Sequence, residues 1–302
     1  MKRILKDPLL AIGIVFLTLL FLFAIFMPTI RTGQLQPPNE PRFDAVFSPI
    51  GKPFLTPGEK GATFGTDDIG RDVLARLAQG ARVSLVVGLT VQILALFFGM
   101  LMGVLGVFAP KWIRVPLLRL TDAMFAFPDI LLAILLVATL SPQYLLVRLP
   151  FLKVVPDEWI GILPVVAALS ITAWPSIARL VKVQVESVKD REFVVASRAA
   201  GASTPYLVVK HILPQVLPLI LAVSMVEMAG TVLAESALSF IGIGVQAPNP
   251  SWGNMINNAR SGDITAHLSL LMLPCILLSL TIFALNFVGD GLQSLFDPKA
   301  RG

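Results

Sequence analysis

The sequence has few charged residues and almost no cysteine or histidine. Of its 302 residues, 14% are charged and 55% are hydrophobic, and there are one cysteine and two histidines. So little charge excludes a water-soluble domain of this length. The lone Cys275 excludes an internal disulfide. Neither His211 nor His267 has acidic or cysteine neighbours at helical spacing, so we assign no metal site.

The motifs of several enzyme and carrier classes are also missing. No G-x-x-x-x-G-K-[ST] phosphate loop occurs, which excludes ATP hydrolysis by that route. A Gly-x-Ser-x-Gly turn with a histidine deep in another span would be needed for intramembrane hydrolysis, and it is absent. The halves of the chain show no convincing internal repeat of the kind that ion-coupled carriers have. We therefore expect no enzyme activity, no cofactor bound by this chain and no nucleic-acid partner.

Long apolar runs are what the sequence does contain. A helix of about 20 apolar residues crosses the roughly 30 Å hydrocarbon core of a bilayer. The alternating ten-residue segments of an outer-membrane barrel are not seen. Six runs are long enough to span, at 9–30, 83–109, 117–140, 159–178, 212–240 and 266–289. The sequence predicts an all-α integral membrane protein with six transmembrane helices.

Basic residues predict the orientation of these spans. The first run follows Lys2, Arg3 and Lys6 but lacks a cleavage site, which favours a retained anchor. A cytoplasmic N-terminus places 14 of the 24 lysines and arginines inside, and seven of the other ten lie in the long first loop. Long loops weigh little in the positive-inside rule. Both termini are therefore predicted to be cytoplasmic, with membrane lipids as neighbours.

The chain divides into three regions by composition. Residues 1–30 form the N-terminus and first span, residues 31–82 a proline-rich external loop, and residues 83–302 a five-helix core with a cytoplasmic loop at 188–211. The external loop ends in a predicted surface helix, capped by Thr66 or Asp67, that leads into the second span. Outside turns are predicted at 141–158 and 242–263, with Trp252 suited to the membrane interface.

Acidic and small residues inside the spans are candidates for function or packing. Glu227 and Glu235 lie in the fifth run, where a central charge costs about 2.5–3.5 kcal/mol on insertion scales. Each should face protein or water, and a solvated position near the outer end stays an alternative. For Asp129, near the start of its span, a solvated or capping role stays an alternative to a functional one. Gly99 and Gly103 form a small-xxx-small pair that allows close helix approach.

A charged island at 191–214 interrupts two apolar runs. Residues 190–200 predict a short helix, and Gly201 then ends it, because glycine adopts a left-handed backbone most cheaply. Ser203 or Thr204 can cap a second helix, and Pro205 suits its first turn. Two short helices joined by an elbow are typical of a docking surface.

The sequence resembles the inner-membrane permease subunits of bacterial ABC importers. Within that family it is similar to the dipeptide and oligopeptide branch, and there to the second of the two paired permeases. The island is similar to that family's EAA loop, with Val195, Ala196 and Ser197 at the name-giving triplet, of which only the alanine matches. The resemblance covers essentially the whole chain. Further motifs carry it at 64–85, at 247–260 with Pro-Ser-Trp-Gly, and at 286–301 with Gly-Asp-Gly-Leu.

The resemblance implies a type I ABC importer permease fold in the bacterial cytoplasmic membrane. It also implies a heterodimer with a second permease, two ATP-binding subunits that hold ATP and Mg, and an external substrate-binding protein. The coupling loop would contact the ATPase, with apolar burial from Phe193 and Val194. Its expected residues are Arg191, Glu192, Phe193, Val194, Ala196, Ser197, Arg198, Gly201, Leu213 and Pro214.

External docking to the binding protein has its own candidates. They are Asp67, Asp68, Arg71, Asp72 and Trp252. Charges this dense within one turn can also satisfy each other, so we favour a structural role for the charged group. Glu227, Glu235 and Asp129 are candidates for the translocation path or for packing.

Two alternatives to peptide import stay open from the sequence. The same architecture could serve nickel chelates, opines or oligosaccharides. In a different class, the chain could be a multi-span sensor or scaffold that moves nothing.

Overall fold

The computed structural model describes residues 7–35, 44–140, 156–246, 248–260 and 268–296. Several predictions fall outside these ranges. They concern the lysines and arginines near the two termini, which were used to predict the membrane orientation, as well as His267 and most of the turn at 141–158. Within them the chain is helical apart from loops and two isolated bridges. The helices are α1 Pro8–Leu35, α2 Val73–Phe108, α3 Lys111–Met124, α4 Asp129–Thr139, α5 Asp157–Ile160, α6 Leu163–Val188, α7 Glu192–Ala199, α8 Thr204–Leu207, α9 Leu213–Ile241, α10 Trp252–Ala259 and α11 Leu268–Phe296.

Five long helices in the described residues are apolar enough to cross a membrane. They are α1, α2, α6, the continuous stretch Thr204–Ile241 and α11. The third predicted span, 117–140, is instead divided between α3 and α4, which are bent by 94° at the break. Pro128 lies at that break and is the N-cap of α4. The six predicted runs thus correspond to five spans and one bent pair.

Helix α2 begins ten residues before the predicted second span. The Asp72 carboxylate caps it by accepting a hydrogen bond from the Ala75 backbone N–H at 2.9 Å. The predicted cap, Thr66 or Asp67, is wrong, and so is the prediction that this helix lies along the membrane surface, because it runs without a break from Val73 to Phe108. At 36 residues it is about 54 Å long, so it extends beyond the hydrocarbon core.

The predicted glycine pair brings α2 and α6 together. A Cβ on Gly99 would lie 2.5 Å from Ile177, and one on Gly103 would lie 2.6 Å from Val181. Only residues without a side chain allow this approach, so the small-xxx-small prediction is confirmed. Each contact lies four residues further along both helices, which means that α2 and α6 run in the same direction.

Helix α9 packs on α2 nearer the start of α2 than α6 does, and α11 packs against both α9 and α1. Gly88 of α2 packs against Val232 and Met228 of α9. Gly289 and Gly291 of α11 pack against Val226 on α9 and Leu10 on α1, respectively. The C-terminal ends of α2 and α6 therefore lie at one end of the bundle, beside α7, and the start of α2 lies at the opposite end, beside the loop at 44–72.

Candidate functional site

Helix α7 is anchored to the bundle by one apolar side chain. Val194 is fully buried in a cluster that includes Val185 and Val188 from the end of α6, and Leu207 and Ile212 beyond the elbow. Its prediction as a contact for a partner protein is wrong, because this chain already covers it. Phe193, its neighbour, is 40% exposed. The helix thus has one buried residue holding it in place and a free outer face.

The end of α7 depends on Gly201. This residue has a φ of +89°, in the left-handed region, as predicted. Its N–H donates to the Arg198 carbonyl at 3.0 Å, and the Ala202 N–H donates to the Ser197 carbonyl at 3.2 Å. These bonds satisfy carbonyls that the helix end would leave free. A Cβ at Gly201 would meet nothing within 4 Å, so the backbone angle alone demands glycine here.

The second half of the elbow follows the predicted pattern in part. Ser203 is at the N-cap of α8 with extended backbone, but its side chain makes no capping hydrogen bond. Pro205 lies in the first turn, as expected. A π-helical turn, Val208–Ile212, then leads into α9 at Leu213. Leu213 packs against the same apolar cluster as Val194, whereas Pro214 is exposed.

The outer face of the loop is polar and aromatic. The Ser197 hydroxyl lies 3.4 Å from Nε2 of His211. The rings of Phe193 and Tyr206 lie beside the same imidazole, with centroid distances of 6.4 and 5.7 Å. His211 and Tyr206 were missed by sequence reasoning, although both lie inside the island. The remaining coupling candidates, Arg191, Glu192, Ala196 and Arg198, are exposed.

At the opposite end of the bundle a buried ion pair holds the start of α2. Nε and Nη2 of Arg31 donate to the two carboxylate oxygens of Asp72 at 3.0 and 2.9 Å. Arg31 also donates to the Gly61 carbonyl at 2.9 Å. Asp72 is fully buried. It ties α1, α2 and the loop at 44–72 together and is closed to another protein, which contradicts its prediction as a docking residue.

The other charges of this group form a second cluster. The Asp67 carboxylate pairs with Arg71 at 2.7 Å and with Arg76 at 3.2 Å. Asp68 is the most exposed of the acids, at 35% of its side chain, and lies 3.7 Å from Arg71. The structural role that we favoured for these charges agrees with this pairing. Asp68 keeps the most open surface for contact with another protein.

Trp252 is buried, and its prediction as an exposed interface or docking residue is wrong. Its indole N–H donates to the Leu77 carbonyl at 3.2 Å, and its ring packs on Gly80. Ser251 and Asn254 form a capping box that starts α10 at this residue. A serine at the N-cap, with a side chain three residues later that accepts from the serine's backbone N–H, is a sequence signal for the start of a helix. The prediction of an external turn at 242–263 overlooked this signal.

Glu235 lies at the centre of a buried hydroxyl cluster. Its carboxylate accepts hydrogen bonds from Ser84 at 2.9 Å and from Ser239 at 2.8 Å, with Ser236 at 3.4 Å. The Ser239 hydroxyl also accepts from the Val245 N–H at 3.1 Å. The predicted alternative of a solvated Glu235 is wrong, because the residue has no exposed surface. It connects α9 to α2 and to the segment after α9.

Glu227 and Asp129, by contrast, face an open cleft. They line a cavity of about 240 Å³ between α4, α6 and α9. Hydroxyl side chains from two of these helices line the same cavity, namely Thr172, Ser176 and Thr231. The structure therefore separates the three intramembrane acids into one packing residue and two that share a polar cleft.

Comparison with known proteins agrees with this architecture. Residues 95–302 match the family model of the binding-protein-dependent transport system inner membrane component. The chain is 33% identical, over 96% of its length and 88% of the relative's, to the di/tripeptide transport system permease protein DppC of Pseudomonas aeruginosa. It is 31% identical, over its full length and 89% of the relative's, to the oligopeptide transport system permease protein OppC of Bacillus subtilis.

A solved structure shows the same fold. The inward-facing MetNI methionine ABC transporter matches with a TM-score of 0.52 and 21% identity, over 74% of this chain and 96% of the other. The family match covers both the elbow and the polar cleft. The chain belongs to the family of binding-protein-dependent transport system inner membrane components.

Proposed function

We propose that this chain is a permease subunit of an ATP-driven importer of di- and oligopeptides, and that α7 is the surface through which the ATPase moves the spans. The names of the full-length relatives support the peptide class. The observation that carries the coupling role is the construction of α7. Val194 fixes its inner side to the ends of α6 and α9, while Phe193, Arg191 and Arg198 remain exposed.

This anchoring has a mechanical consequence. A helix held only at its termini would rotate on its loops when pushed. Because Val194 packs in the same apolar cluster as Val185 and Ile212, a displacement of α7 is passed to two spans together. Packed interfaces transmit such displacements as shifts between discrete arrangements. Partner ATPases that bind ATP and Mg would supply the energy, a second permease would complete the pathway, and an external binding protein would deliver substrate.

The cleft at Asp129 and Glu227 is the part of the pathway that we assign to this chain. Two carboxylates and three hydroxyls line it, which suits the ammonium group and the N–H donors of a peptide. The enclosed Glu235 cluster would stay intact during transport and hold α2 against α9.

The coupling role is tested by two substitutions at Gly201 in the reconstituted complex. Asparagine tolerates a left-handed backbone and valine does not. We expect Gly201→Asn to retain substrate-stimulated ATP hydrolysis and Gly201→Val to lose most of it, while both complexes assemble. Stimulation that is unchanged in the assembled Gly201→Val complex would contradict the coupling role of the elbow.

The substrate is tested separately. The cognate binding protein is purified, and its bound ligand is identified by mass spectrometry. Peptides are expected, whereas a nickel chelate, an opine or an oligosaccharide would replace the peptide assignment and leave the coupling role standing. Co-purification of the chain without any ATPase or second permease would instead favour a sensor or scaffold.

A further inference from the structure

Helix α3 presents an outward face that combines large apolar side chains with cations. Trp112 is 77% exposed, and Val115 and Leu120 are also open. Lys111 and Arg119 lie on the same face and are exposed as well. Neither forms an ion pair with any part of the chain that the structure describes.

The opposite face of α3 fixes this orientation. Thr121 is buried, and Leu117 and Leu118 are half-buried against the bundle. At the C-terminal end, Asp122 pairs with Arg179 of α6 at 3.3 Å, and the Arg179 guanidinium lies 3.8 Å from the Phe125 ring centre. The acid on this part of α3 is therefore already paired with α6, and the outward face keeps a net positive charge.

The position of α3 in the fold is that of a helix lying along a membrane surface. It follows α2 after a two-residue connection, at the end of the bundle where α6 leads into α7. A bend of 94° separates its axis from that of α4. If α4 runs with the other spans across the bilayer, α3 must lie nearly parallel to its plane.

The composition of the face excludes the two simpler environments. A helix surrounded by water gains nothing from a tryptophan as open as Trp112. A helix surrounded by hydrocarbon would bury Lys111 and Arg119 at high cost. The boundary between the two is where tryptophan is enriched and where long basic side chains reach the headgroups. A basic amphipathic helix in this position attracts anionic lipid.

We propose that α3 lies in the membrane interface on the side of the coupling loop and binds anionic phospholipid headgroups. Lys111 and Arg119 contact the phosphates, and Trp112, Val115 and Leu120 insert at the boundary of the acyl chains. Because α3 packs on the bundle through Thr121, lipid contact acts at the end of the bundle where α6 leads into α7. This proposal depends on the bend and the exposed face of α3, and it holds for any substrate.

The apolar part is tested by fluorescence quenching in lipid nanodiscs that contain the full chain within its complex. The discs hold phosphatidylcholine and phosphatidylglycerol, brominated near the glycerol end of the acyl chains. We expect the wild type to be quenched more than the Trp112→Phe variant, because this substitution removes a tryptophan that the proposal places in the interface. Equal quenching in two complexes of the same size would overturn the proposal.

The charged part is tested by lipid retention. We expect Lys111→Gln and Arg119→Gln each to reduce the phosphatidylglycerol retained from mixed discs, by about fivefold per cation. The matched control is Lys52→Gln with Lys60→Gln, which removes two exposed cations from the outer loop and should leave retention unchanged. The assignment would be contradicted if phosphatidylglycerol retention fell only in the control, or if it fell in none of the variants.

A protein partner on α3 predicts a different result. Trp112 would then be shielded from brominated lipid in the assembled complex and quenched only when the second permease or the ATPases are removed. That outcome would reassign the face as a subunit interface. Quenching that is the same in the complex and in the isolated chain supports lipid contact.

Discussion

The Ser84 hydroxyl on α2 donates a 2.9 Å hydrogen bond to the Glu235 carboxylate on α9, across 151 positions of sequence. The carboxylate has no solvent exposure, and its other oxygen accepts from Ser239 at 2.8 Å. Two neighbouring spans are thus joined by a polar contact in which the Glu235 carboxylate is the acceptor that Ser84 and Ser239 share. Glu235 itself is not among the residues that line the open cleft at Glu227.

Replacement of Glu235 should therefore affect stability more than substrate handling. Glu235→Leu removes the side-chain acceptor of the Ser84 and Ser239 hydroxyls, and a buried donor without an acceptor costs about 1–3 kcal/mol. Glu235→Gln keeps an acceptor and should cost less. We expect the temperature of thermal aggregation in detergent to fall in the order wild type, Gln, Leu. Equal values for wild type and Leu would show that the cluster does not hold the spans together.

A substitution in the buried Arg31–Asp72 ion pair should destabilise the protein more than a substitution at Glu235. Breaking a buried ion pair by removing one partner costs about 3–5 kcal/mol, because the other charge stays buried. Asp72→Ala also removes the cap of α2. We expect little folded protein from Asp72→Ala in detergent, whereas Asp68→Ala, at a more exposed acid of the same turn, should behave like wild type. Comparable yields of the two variants would contradict the account.

The contact between α2 and α6 is tested by two alanine substitutions. A Cβ at Gly103 would lie 2.6 Å from Val181 and 2.8 Å from the Ala178 carbonyl, whereas one at Gly33 of α1 meets nothing within 4 Å. Overpacking of this kind typically costs about 1–3 kcal/mol. We expect Gly103→Ala to lower thermal stability and Gly33→Ala to leave it unchanged or raise it slightly. A stable Gly103→Ala variant would show that the helices can separate.

Substrate handling should depend on the open cleft. Glu227→Gln and Asp129→Asn remove carboxylates that face the same cavity and preserve the side-chain shapes. We expect each to slow uptake of peptides with a free ammonium group by about fivefold, an effect of about 1 kcal/mol. The control is Glu186→Gln, which is outside the cleft. Unchanged uptake by both cleft variants would remove these residues from the pathway.

Much of the fold follows from local rules in the sequence. The apolar runs locate the spans, since nothing but helix satisfies the backbone in hydrocarbon. Gly201 predicts the end of α7 because its backbone angle is a local property. Gly99 and Gly103 predict a close helix contact because they have no side chain to keep another helix away. The sequence does not show which helix makes that contact. A proline such as Pro128 is typical of a helix start or kink, but the 94° angle depends on packing.

The directions that side chains face could not be predicted in the same way. Val194 and Phe193 are adjacent apolar residues on a short helix, and only the arrangement of α6 and α9 decides which is covered. Trp252 is typical of a membrane interface by residue type, yet Gly80 leaves the space in which it is buried. Ser84 gives no local sign that it contacts Glu235. The separation of packing residues from exposed ones is therefore a property of the tertiary structure.

Coupling through α7 requires that its exposed face contacts an ATPase subunit. A photoreactive amino acid at Phe193, in the complex purified from membranes, tests this most directly, with Ile69 as an exposed control position at the other end of the bundle. We predict that the Phe193 position crosslinks to a P-loop ATPase subunit, that the yield changes on addition of ATP, and that Ile69 gives no such product. A complex that retains its ATPases but gives no crosslink from Phe193, or the same product from Ile69, would contradict the account.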